Sequence, residues 1–158
     1  MNKKFLTCFI AIFISLCSYT KSTCIENKYT KDIWINNLNT KDIKVNVVDI
    51  KIIKESIYIG KKYNASAILT MNVENNSLDD IELSNIDIYP YQANKETKYF
   101  VSTSEDNITG FIGNLKPKES KTIKMGVALH NTKDPISLEF SNIEDEKNEK
   151  ITESINIK

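Results

Sequence analysis

The stretch "SAILTMNVE", residues 66–74, decides how this chain folds. Ala67, Leu69, Met71 and Val73 alternate with Ile68, Thr70, Asn72 and Glu74. Successive side chains of a strand point to opposite faces, so this spacing makes one mostly apolar face and one mostly polar face. An antiparallel sheet with one wet side needs that pattern. The same period returns in "KTIKMGVAL" (121–129), where Ile123, Met125, Val127 and Leu129 are in phase. It returns again in "ISLEF" (136–140), with Ile136, Leu138 and Phe140 on one face.

Upstream, "DIKVNVVDIKIIKE" (42–55) alternates in two phases, Ile43, Val45 and Val47 first, then Val48, Ile50 and Ile52. A phase slip inside one β-rich run predicts a bulge or a strand crossing between sheets. "SIYIG" (56–60) reads as a short strand turning at Gly60, and "NNSLDD" (75–80) as a turn, because Asn and Asp side chains bond their own backbone. "IELSNIDIYPY" (81–91) reads as a strand pair. Pro90 lacks an N–H, so the second strand ends there or runs along an edge. "TKYFVST" (97–103) and "ITGFIGNL" (108–115) read as strands, "LKPKES" (115–120) as a tight turn, and "ITESINIK" (151–158) as a last strand. With about seven to nine short strands separated by turn signals, and no helical stripe after the N-terminus, the pattern predicts an all-β, immunoglobulin-like antiparallel sandwich.

The N-terminus has the three parts of an export signal: Lys3 and Lys4, an apolar stretch from Phe5 to Cys17, and the polar exit "SYTKS". That stretch falls short of the roughly 20 apolar residues a membrane-spanning helix needs. The expected organisation is a signal helix in 1–22, a linker in 23–40 where Trp34 begins to dock, and the sandwich in 41–158. Cleavage is expected after Ser18 or Ser22. Lipidation of Cys17 is the alternative, with Ile14 and Ser15 suitably placed and Leu16 larger than usual. Cys24 then stands alone, so no disulfide is expected within the domain. The product is exported, either secreted or attached to the cell envelope, without a membrane span.

A length of 158 residues suits one domain, and 41% hydrophobic with 27% charged residues is ordinary for a globular chain. All 21 basic residues are lysines, so the forked guanidinium favoured for phosphate and guanine recognition is missing, and nucleic acid is a poor candidate partner. Loss of residues 1–22 removes Lys3, Lys4, Lys21 and no acid, which leaves 18 lysines against 21 acids. That small negative charge draws the domain to no anionic surface.

Catalytic chemistry finds little support. His130 is the sole histidine, no G-x-S-x-G elbow is present, and a single imidazole makes no multi-histidine metal site. Asp79, Asp80, Glu144, Asp145 and Glu146 lack the spacing of a calcium loop, and no cofactor motif occurs. Lys116, Lys118, Lys121 and Lys124 read as a solubilising edge. Tyr89, Tyr91, Tyr99 and Phe100 lie close in sequence. Tyr89 and Tyr91 share a face, which is either core or part of an aromatic strip for peptide or glycan contact.

The order of features, a bulged strand, then "YNASAILTMNVENNS", then "LSNIDIYPYQ", then "GNLKPKESKTIKMGVAL", resembles a family of bacterial secreted immunoglobulin-like domains of unknown function. The mycobacterial secreted immunoprotective antigen has that fold class. In the family an L-x-P-G-E turn opens a strand of the opposite sheet; here Lys118 stands at the glycine position. The resemblance covers residues 43–157 and implies the fold more than any activity. A fainter similarity links the chain to bacterial proteinase-inhibitor sandwiches, where "YQANKETK" (91–98) would enter a protease cleft. The expected function is a monomeric, exported, non-enzymatic binding module for a protein or glycan, with inhibition of an extracellular hydrolase as the alternative.

Overall fold

The computed structural model describes residues 25–27, 31–37, 40–101, 107–143 and 150–157. The export signal, Cys17, Cys24, the side chain of Trp34 and the acidic stretch 144–149 lie outside the described residues. At the centre of one sheet runs β6 (Ala65–Asn75), antiparallel to β3 (Thr40–Ile53) on one side and to β12 (Ser120–Leu129) on the other. The register sets Met71 opposite Val47 and Ile123, and Leu69 opposite Ile50 and Met125. These side chains are all buried, so the alternation read from the sequence is the inner face of three adjacent strands. Each fully buried side chain of this size contributes about 1.5–3 kcal/mol of hydrophobic stabilisation.

The second sheet runs in the order β14 (Ile151–Ile155), β13 (Ile136–Asn142), β8 (Ile86–Gln92), β9 (Lys95–Glu96). Ile136, Leu138 and Phe140 of β13 are fully buried and join Ile86, Ile88 and Ile155 in one core with the first sheet. The short β10 (Tyr99–Phe100) pairs with the far side of β12. In chain order, β3, β6, β12 and β10 face β8, β13 and β14 as strands A, B, E and D face C, F and G in an immunoglobulin sandwich. Outside the two sheets, β4 (Ile57–Ile59) and β5 (Lys61–Tyr63) form a hairpin around Gly60 at φ +69°, and β7 (Ile81–Glu82) pairs with β11 (Asn114–Leu115).

The phase slip in 42–55 is a bulge. The register jumps between Val47 and Asp49, leaving Val48 as the extra residue, and so Ile43, Val45 and Val47 share the inner face with Ile50 and Ile52. Two expectations need correction. The segment 23–40 is not simply a linker: β1 (Ile25–Asn27) and β2 (Lys31–Asn37) lie end to end along the outer edge of β3. Edge pairing is made by backbone hydrogen bonds and tolerates the Asn-rich, aperiodic sequence that argued against a strand. The segment 108–115 is not one strand either. Gly110 and Gly113 adopt φ of +69° and +96°, which breaks the extended run into an isolated bridge at Ile108 and the short strand Asn114–Leu115.

At the glycine position of the L-x-P-G-E pattern, Lys118 adopts φ +63°. Pro117 precedes it and Glu119 N–H donates to the Lys116 carbonyl at 3.0 Å, the geometry of a type II turn. A side chain costs about 1–2 kcal/mol in left-handed backbone. Lys118→Gly is therefore expected to raise stability by about 1 kcal/mol, despite loss of the exposed bond from Lys118 Nζ to the Asn76 carbonyl. An unchanged urea midpoint would show that the lysine contacts offset the backbone cost.

Two buried amides close the ends of the sandwich. Asn75, at the end of β6, donates from Nδ2 to the carbonyls of Asp79 (2.7 Å) and Leu115 (2.8 Å), while its Oδ1 accepts from Ser77 N–H (2.9 Å) and Ser77 Oγ (2.7 Å). Gln92, at the end of β8, donates from Nε2 to the carbonyls of Asn131 (2.9 Å) and Asp134 (3.0 Å) and accepts from the N–H groups of His130 (2.8 Å) and Asn131 (3.1 Å). Each amide uses its full bonding capacity on loop backbone or hydroxyl groups.

Candidate functional site: an apolar groove where a ladder stops

After Gln92 the chain turns back through Ala93 (φ +50°) and Asn94 (φ +59°), a two-residue hairpin of the type that matches strand twist. Gln92 pairs with Lys95, Tyr91 with Glu96, and Thr97 N–H donates to the Pro90 carbonyl at 3.0 Å. Pro90 has no N–H to return, and there the ladder ends. Thr97 Oγ1 instead donates to the Ala128 carbonyl and Ala128 N–H to the Lys98 carbonyl at 2.8 Å, so the chain crosses to the other sheet as β10. The divergence of β10 from β8 opens a groove of about 500 Å³, within the size range of ligand sites.

Its lining is largely apolar. Tyr89, Tyr99, Val101, Phe111, Ile112 and Met125 surround it, with Asp87, Glu96 and Lys98 at the polar margin. Seven large hydrophobic side chains are exposed among the described residues, and four of them, Tyr89, Tyr99, Val101 and Ile112, meet here. Isolated exposed hydrophobics need no explanation, but their convergence on one concave surface marks a contact site. The Gly110–Gly113 corner brings Ile112 to the groove, and Lys121 Nζ fixes that corner by donating to the Ile112 carbonyl at 2.9 Å.

The aromatic residues divide. Ile86, Ile88, Pro90 and Gln92 of β8 point inward, so Tyr89 and Tyr91 lie on the outer face and are not core. Tyr89 and Tyr99 line the groove; Tyr91 and Phe100 do not. Tyr89 Oη donates to Asp87 Oδ2 at 3.3 Å, and the negative charge of Asp87 pushes the phenol above its ordinary pKa, with desolvation adding to the effect. Lys150 Nζ sits 5.5 Å from the Tyr89 ring centroid and 2.7 Å from Glu139 Oε1; this hydrogen bond and the Glu139 charge raise the lysine pKa. Val101 and Ile112 carry no periodic signal and escape a sequence reading; the glycines on either side of "FI" at 111–112 are the one local hint.

Phe100 has another task. It pairs across from Gly126 on β12, and a Cβ built on Gly126 would lie 2.4 Å from its ring. The ring fills the space a side chain would take, a known way to cover a strand glycine. Gly126→Ala is expected to cost about 1–3 kcal/mol by overpacking and to displace Phe100 and the adjoining Tyr99. A drop in the urea midpoint below about 0.5 kcal/mol equivalent would place the ring elsewhere in solution.

The remaining candidates are otherwise engaged. The His130 ring lies 5.3 Å from that of Tyr63, and its Nε2 is 3.2 Å from the Glu96 carbonyl. The Asp80 carboxylate accepts from Asn114 Nδ2 at 3.1 Å. Among the described residues no three His, Cys, Asp or Glu side chains gather as metal ligands, and no helix is long and apolar enough to cross a membrane. The stretch 91–98, placed in a protease cleft under the inhibitor reading, is tied down by buried Gln92 and Thr97.

No protein-family model matches the sequence, and no curated protein matches it. Similarity appears in solved bacterial structures. A Bacillus subtilis protein described as a "putative lipoprotein" superposes with a TM-score of 0.58 at 13% identity, over 83% of this chain but 39% of its own, so the chain spans about two fifths of that protein. A functionally unknown protein of Listeria monocytogenes gives 0.57 at 9% identity, covering 87% of this chain and 89% of its own. A hypothetical protein of Bacillus anthracis gives 0.55 at 13% identity, covering 88% and 100%. At such identities the likeness is one of fold: this chain is a β-sandwich similar to those of uncharacterised bacterial proteins.

Proposed function

We propose that this chain is an exported, non-enzymatic binding module whose ligand surface is the groove between β8 and β10. The observation that carries the reading is the convergence of four exposed hydrophobic side chains on that groove. Export rests on the signal-like sequence of residues 1–22. Attachment to the envelope through Cys17 is supported by the sequence around it and by the fold similarity to the Bacillus subtilis protein. The absence of an enzymatic role is inferred from the lack of a catalytic motif in the sequence and from the engagement of His130 in backbone and ring contacts.

The test is capture from envelope or host extract with the full chain, compared with Tyr99→Ser plus Ile112→Ser and with Tyr58→Ser plus Leu78→Ser. The first pair disrupts the groove; the second removes exposed hydrophobics elsewhere. The proposal expects a bound species that the groove variant loses and the control variant keeps. Equal capture by all three contradicts it, and recovery of a hydrolase inhibited by the chain would favour the inhibitor alternative.

A further inference from the structure

We infer that the groove accepts an extended peptide, which adds as a strand along β8 and faces β10 across the gap. This rests on the groove being the ligand surface and goes on to name the class of ligand. Along a strand, each residue directs its N–H and C=O toward the same neighbour, and the direction alternates from residue to residue. Pro90 aims its carbonyl at Thr97, away from β13; Ile88, two residues earlier, therefore points its main-chain groups into the groove. Lys98 aims its carbonyl at Ala128 of β12, so Tyr99, the next residue, points its own away from β12.

The ladder of β8 with β9 has the rungs Gln92 with Lys95 and Pro90 with Thr97, and its next rung would join Ile88 with Tyr99. No strand pairing between β8 and β10 exists among the described residues, because β10 is committed to β12. The outer edge of β8 ahead of Pro90 is thus a strand edge beside an apolar trough, and Ile88 itself is buried. A ligand matching that edge must repeat donors and acceptors at strand spacing, which another polypeptide backbone does. Its alternate side chains would rest against Phe111, Ile112 and Met125 on one face and beside Tyr89 on the other.

Charge sharpens the choice. Glu96 is bound to Lys98 at 3.1 Å, whereas among the described residues the carboxylate of Asp87 accepts from the Tyr89 hydroxyl alone and raises that phenol's pKa by its negative charge. The margin is net acidic, so the fitting peptide alternates apolar residues and carries a lysine or arginine that comes to lie near Asp87. The Pro90–Thr97 rung closes one end, which limits the added strand to about four residues alongside β8.

The experiment is selection of a phage-displayed library of random linear heptapeptides on the full chain, followed by synthesis of the selected peptides with single N-methylated amides. The expected peptides alternate apolar positions, carry a basic residue, and lose at least about tenfold in affinity when alternate amides are methylated, with little change at the intervening ones. Asp87→Asn is expected to weaken them several-fold. Methylation that is harmless at every position, with binding still lost in Tyr99→Ser, overturns strand addition and leaves the groove as the ligand surface. If no peptide is selected while a species from extract is still captured through the groove, the ligand is not an extended peptide. Failure of both experiments overturns the proposed function itself.

Discussion

Replacing Asn75 with alanine is expected to lower the stability of the chain by about 2–4 kcal/mol, a large part of the roughly 5–15 kcal/mol typical of a domain. The side chain is fully buried and makes four hydrogen bonds, two given and two received. Truncation leaves the Leu115 carbonyl without this donor in a buried setting and removes the acceptor that holds Ser77. A buried polar group left without its partner costs about 1–3 kcal/mol. The figure stays below four such penalties because water can reach the exposed Asp79 side of the turn. Asn75→Asp is the informative companion: it keeps the acceptor for Ser77 but replaces both donated bonds with repulsion between carboxylate and carbonyls, so it should destabilise at least as much. Urea midpoints of the two variants measure this, and an alanine variant within about 0.5 kcal/mol of the parent would show that the network is not formed in solution.

Gln92→Leu is expected to cost a similar amount, about 2–4 kcal/mol, at the opposite end of the sandwich. The substitution preserves bulk but removes the four side-chain bonds from Gln92 to the 130–134 loop, including the acceptor for both His130 and Asn131 N–H groups. The loss extends beyond stability. Gln92 fixes the start of the β8–β9 hairpin, and that hairpin leads to the Pro90–Thr97 rung from which the groove opens. The variant should therefore lose ligand capture under conditions where it is still folded, whereas Lys118→Gly, remote from the groove lining, should retain it. Hydrogen exchange at residues 92–97 and 128–134, read beside the binding assay, separates local loosening from global unfolding.

The strands that carry the core are written locally. The alternation in β6, β12 and β13 can be read because half of each strand faces the core and half does not, and the slip at Val48 announces the bulge for the same reason. Pro90 also announces an edge from its own chemistry. The outer-facing position of Tyr89 and Tyr91 is not written so plainly, since aromatic residues suit either face, and Ile88 with Pro90 proves to be the inward set. The groove is written least of all. It depends on the chain leaving β8 for β12 at Lys98, and on two left-handed glycines carrying Ile112 to a point near Tyr99, residues 13 positions apart in sequence. The edge strands in 25–37 were hidden because backbone pairing to β3 asks little of side-chain pattern.

The central claim is that ligand meets the chain between β8 and β10. Its most direct measurement is hydrogen–deuterium exchange of the full chain, alone and with the captured species bound. Protection confined to 86–90, 99–101 and 110–112 is the predicted result. Protection centred on the hairpin 57–63, or on the outer edge of β14, with the groove unchanged, would contradict it.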